Sequence, residues 1–301
     1  MESRSNAMSE VRRPYVVAEI GCNHMGRMET AKEMVMIAAQ FCKADVIKFQ
    51  KRTPRECLSP EEYNASHPNP SASYGETYGK HREVLEFTID QHRELKDVCE
   101  RFGTLYSSSC WDMTSTRELI SLEPALIKVP SACNTCEPML GLLCDEYGGD
   151  IHISLGMTTR AEEEWIVAFC SKRNRLKHVV LYHCTSGYPV PFESLCLKEV
   201  SRLATTYGSQ VKGIGYSGHH LGIAVDSVAF ALGADWIERH FTLDRTWKGT
   251  DHAASLEPDG LRRVARDLKA VALALQAKAK DILDIEVAQR RKLKWDRNQA
   301  K

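Results

Sequence analysis

Apolar residues recur along this chain with two different periods, and the two alternate. Short runs rich in apolar and β-branched residues occupy positions 15–20, 46–49, 105–108, 126–129, 151–154, 179–183, 213–217 and 236–240. Runs this short, bounded by turn residues, predict strands. Between them lie stretches with apolar residues at helical spacing: 28–41, 88–102, 114–122, 138–147, 161–172, 197–207 and 221–232, with a last one at 258–279. Thr88 is a plausible N-cap and Gly103 a stop for the second of these. Strands alternating with helices imply a parallel sheet. Eight strand–helix pairs over this length predict an α/β protein with a closed (β/α)8 (TIM) barrel at 14–280 and a short C-terminal helical extension. A doubly wound open sheet is the alternative. It usually carries a glycine-rich phosphate loop after its first strand, and Gly21-Cys-Asn-His-Met-Gly26 is not one.

Three segments fall outside the alternation. Residues 1–13 are polar and predict a disordered leader. Residues 54–79 are rich in proline and serine and run longer than ordinary loops do. With Tyr74 and Tyr78 among its glycines, that passage reads as a lid over a site. Residues 281–301 form a charged helical tail whose basic end, RRKLKWDR, sits downstream of acidic residues. A solvated helix or a subunit contact fits it better than a nucleic-acid patch.

Composition removes several classes of function. Forty basic residues balance forty acidic ones, so nothing draws the chain electrostatically to nucleic acid or to a membrane surface. No apolar run reaches membrane-spanning length, and no apolar leader marks the first residues for export. The 11 cysteines, odd in number and scattered, then predict reduced thiols in the cytoplasm. Cys133 and Cys136 form a C-x-x-C with no second pair to complete a zinc site.

In a barrel of this kind the chemistry collects at the carboxyl ends of the strands. Those ends carry Glu19, Lys48, Ser109, Lys128 with Ser131, Ser154, Ser186 with Tyr188, Ser217 with His219, and Glu238 with His240; Asp251 follows on the next loop. Two imidazoles at adjacent strand ends with a carboxylate nearby suit a borderline divalent metal; hydrogen-bonded core histidines are the plainer reading. Two lysines are costly to bury without anions. Serines around them can orient a phosphate or carboxylate, which points to a small phosphorylated acid, whereas an internal ion network with Glu19 and neighbouring acids is the structural alternative. Glu19 is placed to move a proton.

The same residues carry a family likeness. The chain resembles the sialic acid synthases, which condense phosphoenolpyruvate with an N-acyl sugar. The matching motifs are Ala18-Glu-Ile-Gly-Cys-Asn-His-Met-Gly26, Lys48-Phe-Gln50, Tyr74-Gly-Glu-Thr-Tyr78, Lys128-Val-Pro-Ser131, His183-Cys-Thr-Ser-Gly-Tyr-Pro189, Ser217-Gly-His219, Glu238-Arg-His-Phe241 and Gly249-Thr-Asp-His252. The resemblance implies that His219 and His240 bind Mn2+, with Mg2+ or Co2+ as substitutes. It implies that Lys48, Lys128, Ser109, Ser131, Ser154, Ser186 and Ser217 cradle phosphoenolpyruvate, with Glu19, Lys48 and Lys128 catalytic. Tyr188 and Asp251 would lie near the sugar. A cytoplasmic homodimer is implied as well.

Three features depart from the family pattern. Cys133 stands where an acid is usual, Ser186 where some members have Asn, and the chain stops at Lys301, before the expected antifreeze-like domain. The acceptor sugar therefore stays open. A related synthase using a phosphorylated or plain aldose, with Arg160, Arg239 and Arg245 as candidate phosphate ligands, is one alternative. A non-catalytic phosphoenolpyruvate-binding barrel is another.

Overall fold

The computed structural model describes residues 12–295. Eight parallel strands close in sequence order: β1 (Tyr15–Gly21), β2 (Val46–Lys51), β3 (Leu105–Cys110), β4 (Leu126–Val129), β5 (Asp150–Ser154), β6 (Val179–His183), β7 (Gly213–Gly218) and β8 (Trp236–His240), with β8 pairing back onto β1. The barrel is the expected one. Side chains alternate between faces along each strand, and here the alternation sorts two populations. The outward set packs under the helices as one large apolar core that includes Ile20, Ile47, Phe49, Ile127, Leu181 and Ile237. The inward set begins apolar, with Val17, Val46, Leu126, Val180, Tyr182 and Trp236 forming a separate plug. Tyr15 stacks on Trp236 with centroids 4.2 Å apart, and the His152 ring meets the Trp236 face edge-on. Gly215 is small because it must be: a Cβ there would lie 2.5 Å from the Tyr182 ring. One layer further along, the inward set turns polar, which places the charged residues at the carboxyl-terminal mouth.

Two expected elements come out differently. The helix expected over residues 221–232 forms only at Asp226–Ala231. The cause is Arg239, buried and facing outward from β8: its guanidinium donates to the carbonyls of His220 (2.7 Å) and Gly222 (2.9 Å) and pairs with Asp226 at 2.7 Å. Gly222 turns the chain at φ +77 to present those carbonyls. The passage 54–79 is not one long loop either. It contains helical turns at Pro54–Cys57, Pro60–Asn64 and Pro70–Ala72, the second capped by Ser59 and Glu62, and it leads into a helix at Tyr78–Leu85. The Tyr74 hydroxyl donates to the Lys248 carbonyl, so this passage lies against the loop after β8.

At the C-terminus, the helix expected at 258–279 ends at Ala274, and the tail is helical over Asp284–Leu293. The leader expected at 1–13 lies almost wholly outside the described residues, as does the tail beyond residue 295. All 11 cysteines are free thiols. Among the described residues no helix is long and apolar enough to cross a membrane.

Candidate functional site

The mouth of the barrel holds a cavity of about 330 Å³. Glu19, Lys48, Ser109, Lys128, Ser131, Ser154, Ser186, Tyr188, Ser217, His219 and His240 all line it. Asp251 does not; its carboxylate sits beside His240, 3.9 Å from Nδ1.

One wall is an ion network. Lys128 Nζ lies 2.7 Å from Glu238 Oε1, and Lys48 Nζ lies 3.6 Å from the same oxygen. Lys48 also pairs with Glu19 at 2.6 Å and donates to Ser109 Oγ at 3.0 Å. Ser217 donates to Glu238 Oε1 at 3.1 Å, and Gln50 donates to Glu19 Oε1 at 2.7 Å. The internal ion network, the structural alternative, is present, so the burial of the two lysines does not by itself call for an anionic ligand. Their two positive charges are already matched by Glu19 and Glu238, and the network faces the cavity rather than the protein interior. Its members are not equivalent. Burial disfavours the Lys128 ammonium, and one carboxylate with a neighbouring Lys48 does not restore it, so its pKa is lowered. Burial also opposes the Lys48 charge, but Glu19 and Glu238 together outweigh it and its pKa is raised. Glu238 is buried too, yet Lys128 and Lys48 hold its carboxyl well below the usual range.

Hydroxyls form a second wall. The Gly156 N–H donates to Ser131 Oγ at 3.0 Å, and Ser131 Oγ is 3.3 Å from Cys184 Sγ. Gly156 has no room for a side chain: a Cβ would lie 2.4 Å from Ser186 Oγ and 2.7 Å from both Cys184 Sγ and Ser131 Oγ. The backbone thus comes close enough to pack these small polar groups around one point.

The imidazoles of His219 and His240 stand 5.5 Å apart between centroids, with the Tyr188 ring against both. His219 Nδ1 is 2.9 Å from the Thr185 carbonyl. A carbonyl only accepts, so Nδ1 carries the proton and Nε2 presents its lone pair, the tautomer a metal ligand needs. Burial first, and then His240, push the His219 pKa down to about 3, so the ring is neutral. His240 Nδ1 is buried without a hydrogen-bond partner. An oriented neutral imidazole beside an orphaned ring nitrogen fits a borderline divalent ion. Among the described residues no group of three or more His, Cys, Asp or Glu side chains is arranged to hold one, so an ion here would take no more than these two imidazoles from such a set.

Gln50, Trp111, Cys184 and Glu238 also line the cavity, and the sequence reading assigned none of them a role. Alternation marks three of them, since Gln50 follows Lys48 by two, Trp111 follows Ser109 by two, and Glu238 precedes His240 by two. The candidate phosphate ligands are elsewhere. Arg160 pairs with Glu163 and Glu199, Arg239 is spent on Asp226, and Arg245 donates to the Ala253 carbonyl. Cys133 is not in the lining; its thiol donates to the Trp111 carbonyl at 3.5 Å, and burial pushes its pKa up to about 11.

Comparison with known proteins gives this geometry a family. Residues 34–280 match the NeuB family. The chain is 36% identical over 284 residues to the human N-acetylneuraminate-9-phosphate synthase, covering 93% of this chain and 76% of the relative. It is 32% identical over 266 residues to the N,N'-diacetyllegionaminic acid synthase of Campylobacter jejuni, covering 88% of this chain and 78% of that one. A solved structure of the N-acetylneuraminic acid (sialic acid) synthetase of Leptospira borgpetersenii serovar Hardjo-bovis superimposes with a TM-score of 0.77 at 26% identity, covering 94% of this chain and 93% of that one. The chain belongs to the NeuB family of sialic acid synthase enzymes.

Proposed function

We propose that this protein condenses phosphoenolpyruvate with an N-acylated amino sugar, forming a nonulosonic acid and releasing phosphate. The observation that carries the reading is the row Lys48–Glu238–Lys128 in the same cavity as the His219–His240 pair. Lys48, Lys128 and the serines hold the carboxylate and phosphate of the donor, chiefly through charge-assisted hydrogen bonds. Its enol carbon then attacks the aldehyde carbon of the open-chain sugar, water adds to the resulting cation, and phosphate leaves by C–O cleavage. Glu19, oriented by Gln50 and Lys48, takes up the proton that the adding water gives up.

His219 and His240 would hold a divalent metal, Mn2+ in the first instance, with Mg2+ or Co2+ as substitutes. When bound, the ion supplies Lewis-acid polarisation of the acceptor carbonyl oxygen. Charge supports it independently. The two lysines and two glutamates sum to zero, so a multiply charged anion gains most when a divalent cation shares the cavity. The same reading carries a cytoplasmic homodimer, with the exposed Ile285, Leu293 and Trp295 as apolar surface available to it.

The test is phosphate release by the purified protein with phosphoenolpyruvate, MnCl2 and a panel of N-acylhexosamines. Release that needs both sugar and metal is the expected result. Binding of phosphoenolpyruvate without release for any sugar would favour the non-catalytic barrel.

A further inference from the structure

Arg52 has no task in the chemistry above, yet it is built into the wall beside Glu19. It follows the last residue of β2 and comes two positions after Gln50, which itself comes two after Lys48. Side chains alternate on a strand, so Arg52 continues the row that Lys48 and Gln50 begin. Gln50 and Trp111 line the cavity, and Arg52 does not. Its side chain is buried and fixed from several directions. Nη1 lies 3.3 Å from Glu86 Oε1, and the Arg52 backbone N–H donates to Glu86 Oε2 at 2.8 Å. The guanidinium carbon stands 4.0 Å from the centroid of the Trp111 ring, over its face. The last contact is the telling one: Nη2 donates to Gln50 Oε1.

A glutamine amide has one accepting end and one donating end, alike in shape and opposite in role. Here the accepting end is taken by Arg52, and the donating end, Nε2, meets Glu19 Oε1 at 2.7 Å. A guanidinium can only donate and a carboxylate accepts, so these two partners together permit one orientation of the amide. Oε1 has no other strong donor beside it, since the Cys22 thiol is 3.9 Å away and thiols donate weakly. The backbone leaves room for the contact at a position of positive φ. Gly21 has φ +56, and a Cβ there would lie 3.1 Å from Gln50 Nε2 and 3.2 Å from Glu19 Oε1. A continuous row, Glu86–Arg52–Gln50–Glu19, thus runs from the end of the helix Tyr78–Leu85 to the cavity.

We infer that Arg52 is a positioning residue for the condensation: it clamps the Gln50 amide, and that amide aims the Glu19 carboxylate at the water that adds to the donor. The inference rests on the condensing reading above. Misplacing a catalytic group by about 1 Å can cost on the order of 100-fold in rate. Without Arg52 the amide still donates to Glu19, so its loss should cost roughly tenfold, the low end for a hydrogen bond to a charged group.

The rival explanation is that Arg52 only braces Trp111 and neutralises Glu86. The experiment measures kcat and the KM for phosphoenolpyruvate by phosphate release, with the sugar of the panel that turns over fastest. The proteins compared are the wild type, Arg52→Met, Gln50→Met and the double variant. Arg52→Met should lower kcat roughly tenfold and leave the KM near the wild-type value, because the guanidinium lies outside the cavity lining. In the Gln50→Met background the same substitution should cost nothing further, since Arg52 acts through that amide. A brace would lower kcat by the same factor in both backgrounds. Arg52→Met alone leaves the buried Glu86 carboxylate without its cation. The variant Arg52→Met/Glu86→Gln removes both charges and keeps an acceptor for the backbone N–H of position 52, so it guards the test against misfolding and should show the same loss. Equal losses in both backgrounds, a change confined to KM, or a wild-type kcat in either variant that keeps Gln50 overturns the role of Arg52 and leaves the condensing reading standing. A wild type that releases no phosphate with any sugar overturns both.

Discussion

Replacing Lys128 by methionine separates the donor half of the site from the acceptor half. Lys128 is buried, with Nζ 2.7 Å from Glu238 and 4.0 Å from the centroid of the Tyr182 ring. Methionine keeps the length of the side chain and packs well against an aromatic ring, so the cavity keeps its shape. Two electrostatic losses follow. A charge-assisted hydrogen bond to the bound anion disappears, worth about 1.5–3 kcal/mol. The four-group network also passes from neutral to a net negative charge, and a unit charge about 4 Å from the anion is worth roughly 4 kcal/mol at an effective dielectric of about 20. That second figure is an upper bound, because Glu238 keeps Lys48 at 3.6 Å and Ser217 at 3.1 Å.

The lost hydrogen bond alone raises the KM for phosphoenolpyruvate roughly 10-fold to 150-fold, at about 1.4 kcal/mol for each factor of ten, and the change in network charge adds to that. The KM for the sugar should move far less, since the proposed acceptor would lie at the imidazoles rather than against this ammonium. The same remaining partners keep the destabilisation below the roughly 3–5 kcal/mol of a fully orphaned buried charge, so circular dichroism and thermal melting should report a folded protein. Steady-state phosphate release with each substrate varied in turn is the assay. Equal rises in both KM values, or no rise for phosphoenolpyruvate, would refute the placement of the donor.

Three further outcomes follow from the geometry. His240→Ala should weaken Mn2+ binding at least about 100-fold by isothermal titration while leaving the circular dichroism spectrum unchanged, and unchanged affinity would remove His240 from the metal site. Gly156→Ala forces a methyl group to within 2.4 Å of Ser186 Oγ and 2.7 Å of Ser131 Oγ, and should lower kcat/KM for phosphoenolpyruvate more than about tenfold; unaltered kinetics would show that these hydroxyls do not hold the donor. His24 and His92 are buried and pushed down to about 3, chiefly by desolvation, so below pH 6.5 the unfolded chain takes up protons that the folded one refuses. Stability should therefore fall as the pH drops from 6.5 toward 3, by roughly 1.4 kcal/mol per pH unit for each histidine. Urea midpoints at pH 7 and 5.5 measure this, and equal midpoints would contradict it.

Much of the barrel was legible because its strands and helices announce themselves by period, and β4, β6 and β8 fall at the expected residues. The inward row was legible for the same reason, which is how Lys48, Lys128, His219 and His240 could be placed at one rim. The partners of those side chains were not. Glu238 lies on β8 and Lys128 on β4, strands that face each other across a closed barrel, and no spacing along the chain encodes that contact. Glu238 could be placed at the rim beside His240, but the pairing of its carboxylate with Lys128, and its place 3.6 Å from Lys48, could not. Arg239 misled for a related reason. Its position beside His240 suggested the cavity, but in a strand the next residue points to the opposite face, and it went to Asp226 and the carbonyls that shorten the following helix. The turns within residues 54–79 depend on local caps, such as Ser59 with Glu62, and on a distant bond from Tyr74 to Lys248.

The most direct measurement is mass spectrometry of the product formed from phosphoenolpyruvate, Mn2+ and an N-acylated hexosamine or its phosphate. A new acid whose mass equals donor plus acceptor plus water minus phosphoric acid, formed in step with released phosphate and abolished by a chelator, is the predicted result. Phosphate released without any sugar, or a complete mixture that yields no such acid, would contradict a cavity built to join the two.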